Sequence, residues 1–236
     1  MKHKNIEFQF FFIRHGESES NIVTGLAAAK NYDAPMTKRG HDQALALGKR
    51  LNKSGIIFDR IYSSSLTRAI QTTEDILTGM SYKNIEFKKK NEIIEQQIPM
   101  WSGKKLEEVM TPEIKILSGE KGKWFQPADG ESERQVERRA SNWIEDEFID
   151  NKKWLENPGS YKIAVIGHGM TMRCIFHYIT GWDANMIRKS QILNCSISRF
   201  NFGPNGWEII SINDSYHTYH LGDAVTDKVN AEKTIV

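Results

Sequence analysis

The chain has 236 residues, 39% of them apolar, with six Trp and eleven Phe, which supplies a real core and excludes a disordered polymer. Length allows one or two domains, since roughly 100–200 residues per domain is the soft expectation and single α/β domains reach about 250. A formal net charge of +2 gives no bulk attraction to nucleic acid or membrane, so neither is expected as a partner, and any anion must be held by a few local cations.

In chain order, Phe8–Ile13 reads as a buried strand that stops abruptly at Arg14-His15-Gly16. Glu17 to Asn31 is small and polar, a connection over the strand end with at most a turn or two of helix. Asp33-Ala34-Pro35-Met36-Thr37 predicts a turn and a helix start with Thr37 as N-cap. Gln43, Ala44, Leu47, Gly48 and Leu51 follow at helical spacing until Gly55. Ile56–Tyr62 is the second expected strand, ending in Ser63-Ser64-Ser65. A helix comes next, with Leu66, Ala69, Ile70, Thr73 and Leu77 on its inner face. Strand, serine turn and helix form half of a βαβ unit, which predicts a parallel sheet. Ile85-Glu86-Phe87 is a third short strand, beside a solvated edge of Lys88-Lys89-Lys90.

From Asn91 to Trp124 the texture changes: Pro99, Gly103, Pro112, Gly119 and Gly122 punctuate it, with one short helix expected around Leu106–Met110. At this length it cannot own a core, so residues 91–124 read as an excursion forming a lid or wall within one domain spanning 1–236. Asp129-Gly130-Glu131-Ser132 precedes a long amphipathic helix through Val136, Ala140, Trp143, Ile144 and Phe148, ending near Lys152–Glu156. Tyr161–Ile166 is a near-continuous apolar strand, as a central parallel strand should be. It stops at Gly167-His168-Gly169, before a helix carrying Met172, Cys174, Ile175, Phe176, Tyr178 and Ile179. Ile197–Phe202 and Trp207–Ile212 flank Gly203-Pro204-Asn205-Gly206 as a hairpin, and the tail after Leu221 is polar and expected to fray. The expected class is α/β: a mainly parallel central sheet between helices on both faces.

Cys174 and Cys195 sit in separate apolar stretches, and reduced, buried thiols are the simpler reading over a disulfide. The apolar run at the N-terminus lacks the about 7–15 apolar residues and small-residue cleavage site of a signal peptide. No stretch approaches the roughly 18–20 apolar residues of a membrane span, so a cytoplasmic protein is expected.

The chemistry lies in a coincidence. Three strands expected to run parallel end in Arg14-His15-Gly16, in the serines leading to Arg68, and in Gly167-His168-Gly169. Parallel strands share one C-terminal edge, where ligands of open α/β sheets bind. Two arginines and two histidines at one point make a cationic pocket, and the guanidinium fork matches two phosphate oxygens at once. The adjacent glycines let backbone N–H groups approach the same anion. Taken singly, each residue has a blander reading: a structural histidine, a surface Arg68, a solvated Glu95. Convergence reverses those readings.

These segments resemble the signatures of the histidine phosphatase superfamily, the phosphoglycerate mutase-like proteins. Arg14-His15-Gly16-Glu17-Ser18-Glu19-Ser20-Asn21 is similar to the first motif, including its asparagine. Pro35–Gly40, Ser64–Thr72, Asp129–Ser132, Gly167–Arg173 and Asn194-Cys195-Ser196 resemble the later ones, in the same order. The resemblance implies a three-layer sandwich, His15 as a nucleophile that becomes phosphorylated, and Arg14, Arg68 and His168 around the phosphoryl oxygens. It implies phosphate contacts from Asn21 and Gly169, and neither metal nor cofactor. Imidazole suits the role, since an unperturbed pKa of about 6.5 leaves it neutral at pH 7. A backbone carbonyl on Nδ1–H would aim Nε2 at phosphorus.

An acid must protonate the leaving alkoxide. Ile94-Glu95 followed by Trp101-Ser102-Gly103 is similar to the family's acid segment, so Glu95 is chosen. Its proton affinity should rise as a substrate dianion arrives. Pro99 stands where the family pattern has glycine and Glu92 lies three residues upstream, so both carboxylates stay in play; Ile22–Tyr32 is out of step with the pattern, so no substrate contact is transferred there.

The implied activity is hydrolysis of a small phosphomonoester, with phosphoglycerate mutase as the alternative. The mutase's Glu-Arg-x-Tyr-Gly segment is absent near Glu95, as are its paired arginines before Gly-Glu-Ser. Lys115, Lys121 and Lys123 are poor substitutes. A non-catalytic binding protein would be expected to have lost a pocket residue, and all four basic positions remain. A serine hydrolase lacks its Gly-x-Ser-x-Gly elbow, and two arginines would repel a histidine-bound cation. The sequence leaves the substrate and the oligomeric state open.

Overall fold

The structure, a computed structural model, describes residues 3–23, 33–82, 86–183, 186 and 189–222. Expectations for 24–32, Ile85 and the tail from residue 223 lie outside the described residues.

A single mixed sheet organises the chain. Its strands are β1 (Ile6–Arg14), β2 (Arg60–Ser64), β3 (Lys88–Lys90), β4 (Gly159–Gly167), β5 (Ile197–Gly203) and β6 (Gly206–Asp214), in the order β3-β2-β4-β1-β5-β6. β4 pairs parallel with both β1 and β2, from Ile6↔Gly159 to Arg14↔Gly167 and from Arg60↔Ile163 to Ser63↔Ile166. β5 and β6 are antiparallel, closing one side as the expected hairpin. The three strands with chemistry at their ends are therefore neighbours, and their C-termini share one edge.

β1 is buried on both faces, and the period of two separates its side chains. Phe8, Phe10 and Phe12 enter one core with Phe148, Trp154, Phe176 and Phe200. Phe11 and Ile13 enter the other with Leu47, Phe58 and Ile61. Phe10 and Phe12 stack at 5.6 Å, and burying each such ring is worth about 1.5–3 kcal/mol.

Helices cover both faces. On the Phe11 side lie α2, after the short α1 (Glu19–Ile22), and α3; α2 spans Lys38–Lys53 and α3 spans Thr67–Gly79. The Thr37 hydroxyl accepts Gly40 N–H at 3.1 Å as the expected N-cap. All five residues expected on the inner face of α2 are buried. α2 and α3 touch through glycine. A Cβ on Gly48 would stand 2.3 Å from the Ile76 carbonyl oxygen and 2.8 Å from Gly79 Cα. Gly48→Ala is expected to cost about 1–3 kcal/mol by forcing the helices apart, read as a lower urea midpoint with activity per folded molecule retained.

Past the excursion helices α4 (Leu106–Val109) and α5 (Pro112–Lys121), the opposite face is covered by α6 (Glu133–Ile144) and α8 (Gly169–Thr180), with α7 (Lys152–Leu155) between them in sequence. Gly181, at φ +63°, ends α8 in the left-handed conformation.

Several expectations are corrected. The third strand is Lys88–Lys90 itself, paired with β2 through Tyr62↔Lys88 to Ser64↔Lys90, and Glu86 and Phe87 lie outside it. An edge strand with solvated lysines carries no apolar pattern to find. The second strand begins at Arg60 rather than Ile56: residues 56–58 run outside any sheet pairing, and Ile57 is 69% exposed. The long helix after Ser132 stops as an α-helix at Ile144. Glu145–Ile149 widens into a π turn before α7, a break the apolar period does not record. The excursion carries a second helix in α5, with Thr111 as N-cap and Pro112 in the first turn. Neither α4 nor α5 buries a residue.

Both cysteines are free and buried. Among the described residues no helix is long and apolar enough to cross a membrane.

Candidate active site

His15 leaves β1 still held by the sheet. Its N–H donates to the Gly167 carbonyl at 2.9 Å, and Asn194 Nδ2 donates to the His15 carbonyl at 3.0 Å. The ring is buried, with Nδ1 2.7 Å from the Gly16 carbonyl. A carbonyl only accepts, so Nδ1 carries the proton and Nε2 keeps its lone pair. Arg68 Nε–H donates to that lone pair at 3.2 Å. Gly16 N–H is fixed in turn by Thr72 Oγ1 at 2.9 Å, one helical turn beyond Arg68. Arg68 is only 2% exposed, so it belongs to the inner face of α3.

His168 is fully buried at the N-cap of α8, its ring 5.1 Å from that of His15. Nε2 pairs with Ser64 Oγ at 2.7 Å, whereas buried Nδ1 has no hydrogen-bond partner among the described residues. Arg14 crosses the start of α8. Its guanidinium donates to the Ile192 carbonyl at 2.6 Å, and a Cβ on Gly169 would lie 3.5 Å from Arg14 Nε. The structure therefore brings Arg14, His15, Arg68, His168 and Gly169 together.

Asn21 reaches the His15 backbone through Asn194. Its oxygen accepts from Ser18 N–H at 3.0 Å, capping α1, and from Asn194 at 3.2 Å, so it supports the His15 carbonyl through Asn194. Glu95 does join the pocket. It is 7% exposed, and its carboxylate accepts from Met170 and Thr171 N–H, both at 3.2 Å, at the start of α8. Glu92 points outward to solvent. Of the two carboxylates, only Glu95 is buried, with its oxygens on the first amides of the helix that His168 caps.

Burial, followed by the charges of Arg68, His168 and Arg14, holds His15 well below the usual histidine range, against a smaller opposing pull from the Gly16 carbonyl. Burial and the charges of Arg68, Arg14 and Arg139 do the same to His168. His217, pushed to about 4 by burial and Arg50, has the same sign. The folded chain thus lacks protons that the unfolded chain binds below about 6.5. Stability from these groups is present above that pH and lost as pH falls from it toward the folded values. We expect nitrogen-detected NMR at about pH 6 to find both site rings neutral, where a solvated histidine is mostly protonated. The urea midpoint should fall between about pH 7 and 5. A protonated His15 at that pH would contradict the burial argument.

Thr72 and Asn194 are not expected at the site from the sequence, although each lies inside a motif segment. Thr72 was readable as the i+4 neighbour of Arg68. Arg173, one turn into α8, donates to the Ser190 carbonyl at 3.1 Å and interacts electrostatically with Glu95.

Comparison with known proteins agrees with this fold. The chain is 26% identical over 215 residues to a broad-specificity phosphatase of Saccharomyces cerevisiae, covering 91% of this chain and 88% of that one. It is 27% identical over 195 residues to a 2,3-bisphosphoglycerate-dependent phosphoglycerate mutase of Bartonella tribocorum, covering 82% and 91%. The fold matches the crystal structure of phosphoglycerate mutase from Bacillus anthracis with a TM-score of 0.71 at 18% identity, over 92% of this chain and 97% of that one. The family model of the histidine phosphatase superfamily (branch 1) matches residues 10–215, and the chain belongs to that superfamily.

Proposed function

We propose that the protein is a metal-independent phosphatase that hydrolyses a small phosphomonoester through a phosphohistidine on His15. The observation that carries the reading is the His15 Nε2 lone pair, fixed by Nδ1–H on the Gly16 carbonyl and ringed by Arg14, Arg68 and His168. Nε2 attacks phosphorus and the ester P–O bond breaks. Glu95 gives its proton to the departing alkoxide, then as carboxylate takes a proton from the water that cleaves the N–P bond. Phosphate leaves and His15 is regenerated. Arg68 must pass its Nε–H from Nε2 to a phosphoryl oxygen as the substrate enters, which couples substrate binding to exposure of the nucleophile. Arg14, Arg68 and the Nδ1 of His168, unpartnered among the described residues, stabilise charge on the transferring group.

Both phosphatases and mutases stand among the relatives. Hydrolysis is favoured because the mutase's basic segments are absent, Lys115 and Lys121 are exposed, and Lys123 is paired with Glu137 at 3.7 Å. On this reading residues 91–124 wall the pocket within one domain, and the enzyme works in the cytoplasm. The test is phosphate release from a panel of phosphomonoesters in the presence of chelator. Turnover is expected with chelator present. Interconversion of phosphoglycerates with little net phosphate release would promote the mutase instead.

A further inference from the structure

The Gly-Glu-Ser turn is left without a task by the mechanism above, yet it is wired to the segment that carries the acid. Arg139, on α6, donates Nε–H to Glu131 Oε1 at 2.8 Å and Nη2–H to Glu131 Oε2 at 3.0 Å, a two-toothed pair. The same guanidinium donates to the Glu92 carbonyl at 2.7 Å and to the Glu95 carbonyl at 3.3 Å. Glu131 grips that segment from its other side: Oε2 accepts Gln97 N–H at 2.9 Å, and its own N–H donates to the Gln97 carbonyl at 2.7 Å. Gln96 Nε2 closes the loop on the Glu131 carbonyl at 2.7 Å. The backbone of Glu95 lies on a connection between short turns, outside any strand or long helix.

We propose that Arg139, oriented by Glu131, is a positioning residue that holds the Glu95 carboxyl at the start of α8, in line with the leaving oxygen. It touches no reacting atom. A general acid works only within hydrogen-bond reach of the oxygen it protonates, and a displacement near 1 Å can cost about a hundredfold. The pair spans from α6 to the acid-bearing segment through two carbonyls and a carboxylate. A lysine, as a point charge on a flexible stem, cannot make those contacts together. Arg139 also lowers the proton affinity of His168 by its charge. That rival role would affect every substrate alike.

The consequence for turnover rests on the phosphatase reading, so the experiment has two arms. In the first, Arg139→Ala, Arg139→Lys and Glu131→Gln are assayed on alkyl and aryl phosphates. Alkyl turnover should fall about tenfold to a hundredfold in all three, aryl turnover much less, and Arg139→Ala should add little to Glu95→Gln. Equal loss on both ester types, additivity with Glu95→Gln, or full rescue by lysine would overturn the proposal. The second arm is amide hydrogen exchange, which needs no activity. Arg139→Ala should speed exchange at Gln97, Met170 and Thr171 while the His15 amide, bonded to Gly167, stays protected. Unchanged exchange at those three amides would overturn it. If the parent enzyme releases no phosphate, the phosphatase reading fails, and the exchange arm still decides whether Arg139 holds the Glu95 segment.

Discussion

His15→Ala is expected to lower phosphate release by at least about a thousandfold on every ester, roughly 4 kcal/mol of barrier. The variant removes the atom proposed to receive the phosphoryl group: Nε2, whose partner nitrogen is tied to the Gly16 carbonyl at 2.7 Å. Alanine keeps the backbone bonds to Gly167 and Asn194, so the pocket should persist and still bind phosphate. The companion measurement is rapid acid-free quenching with labelled substrate. The parent chain should carry one acid-labile phosphoryl group and the variant none. Undiminished turnover by the variant would sink the nucleophile assignment.

Glu95→Gln separates substrates by leaving group. Alkyl phosphates need a proton at the departing oxygen, and a positioned acid contributes about a hundredfold to ten-thousandfold. Their turnover should fall by that order, whereas aryl phosphates, with stable phenolate leaving groups, should lose far less. Glutamine can still accept an N–H from the start of α8, so the helix cap is largely kept and the loss reports proton transfer. Glu92→Gln is the contrast, and turnover should hold because that side chain faces solvent. A uniform fall across leaving groups in Glu95→Gln would remove it as the acid.

The parts of this site that are legible in the sequence share one property: each is encoded within a few residues of a strand end. Arg14-His15, Ser64 to Arg68 and Gly167-His168 follow directly from apolar runs, and a parallel sheet does the rest. Arg68 and Thr72 occupy successive turns of one helix face, a spacing that sequence also carries. Glu95 against Glu92 is a different kind of question. Both lie on an irregular connection, and what separates them is contact with Met170 and Thr171, 75 and 76 residues away from Glu95. Arg139 was legible as a helix residue but not as a partner of Glu131, because the pair forms only when the turn before α6 folds back.

The misses have the same cause in reverse. Lys88–Lys90 and the helix starting at Pro112 are exposed elements, so they lack the burial pattern by which strands and helices are recognised. The π turn at Glu145–Ile149 keeps Phe148 buried while shifting the helix phase, which a periodic template absorbs without trace.

Because α4 and α5 bury none of their residues, the stretch from Leu106 to Lys121 has little duty to the core. Its wording can drift while the grammar of the sheet edge stays intact. On the proposed reading, a library randomised across that stretch would trade one clientele of esters for another. The same histidine would serve each of them.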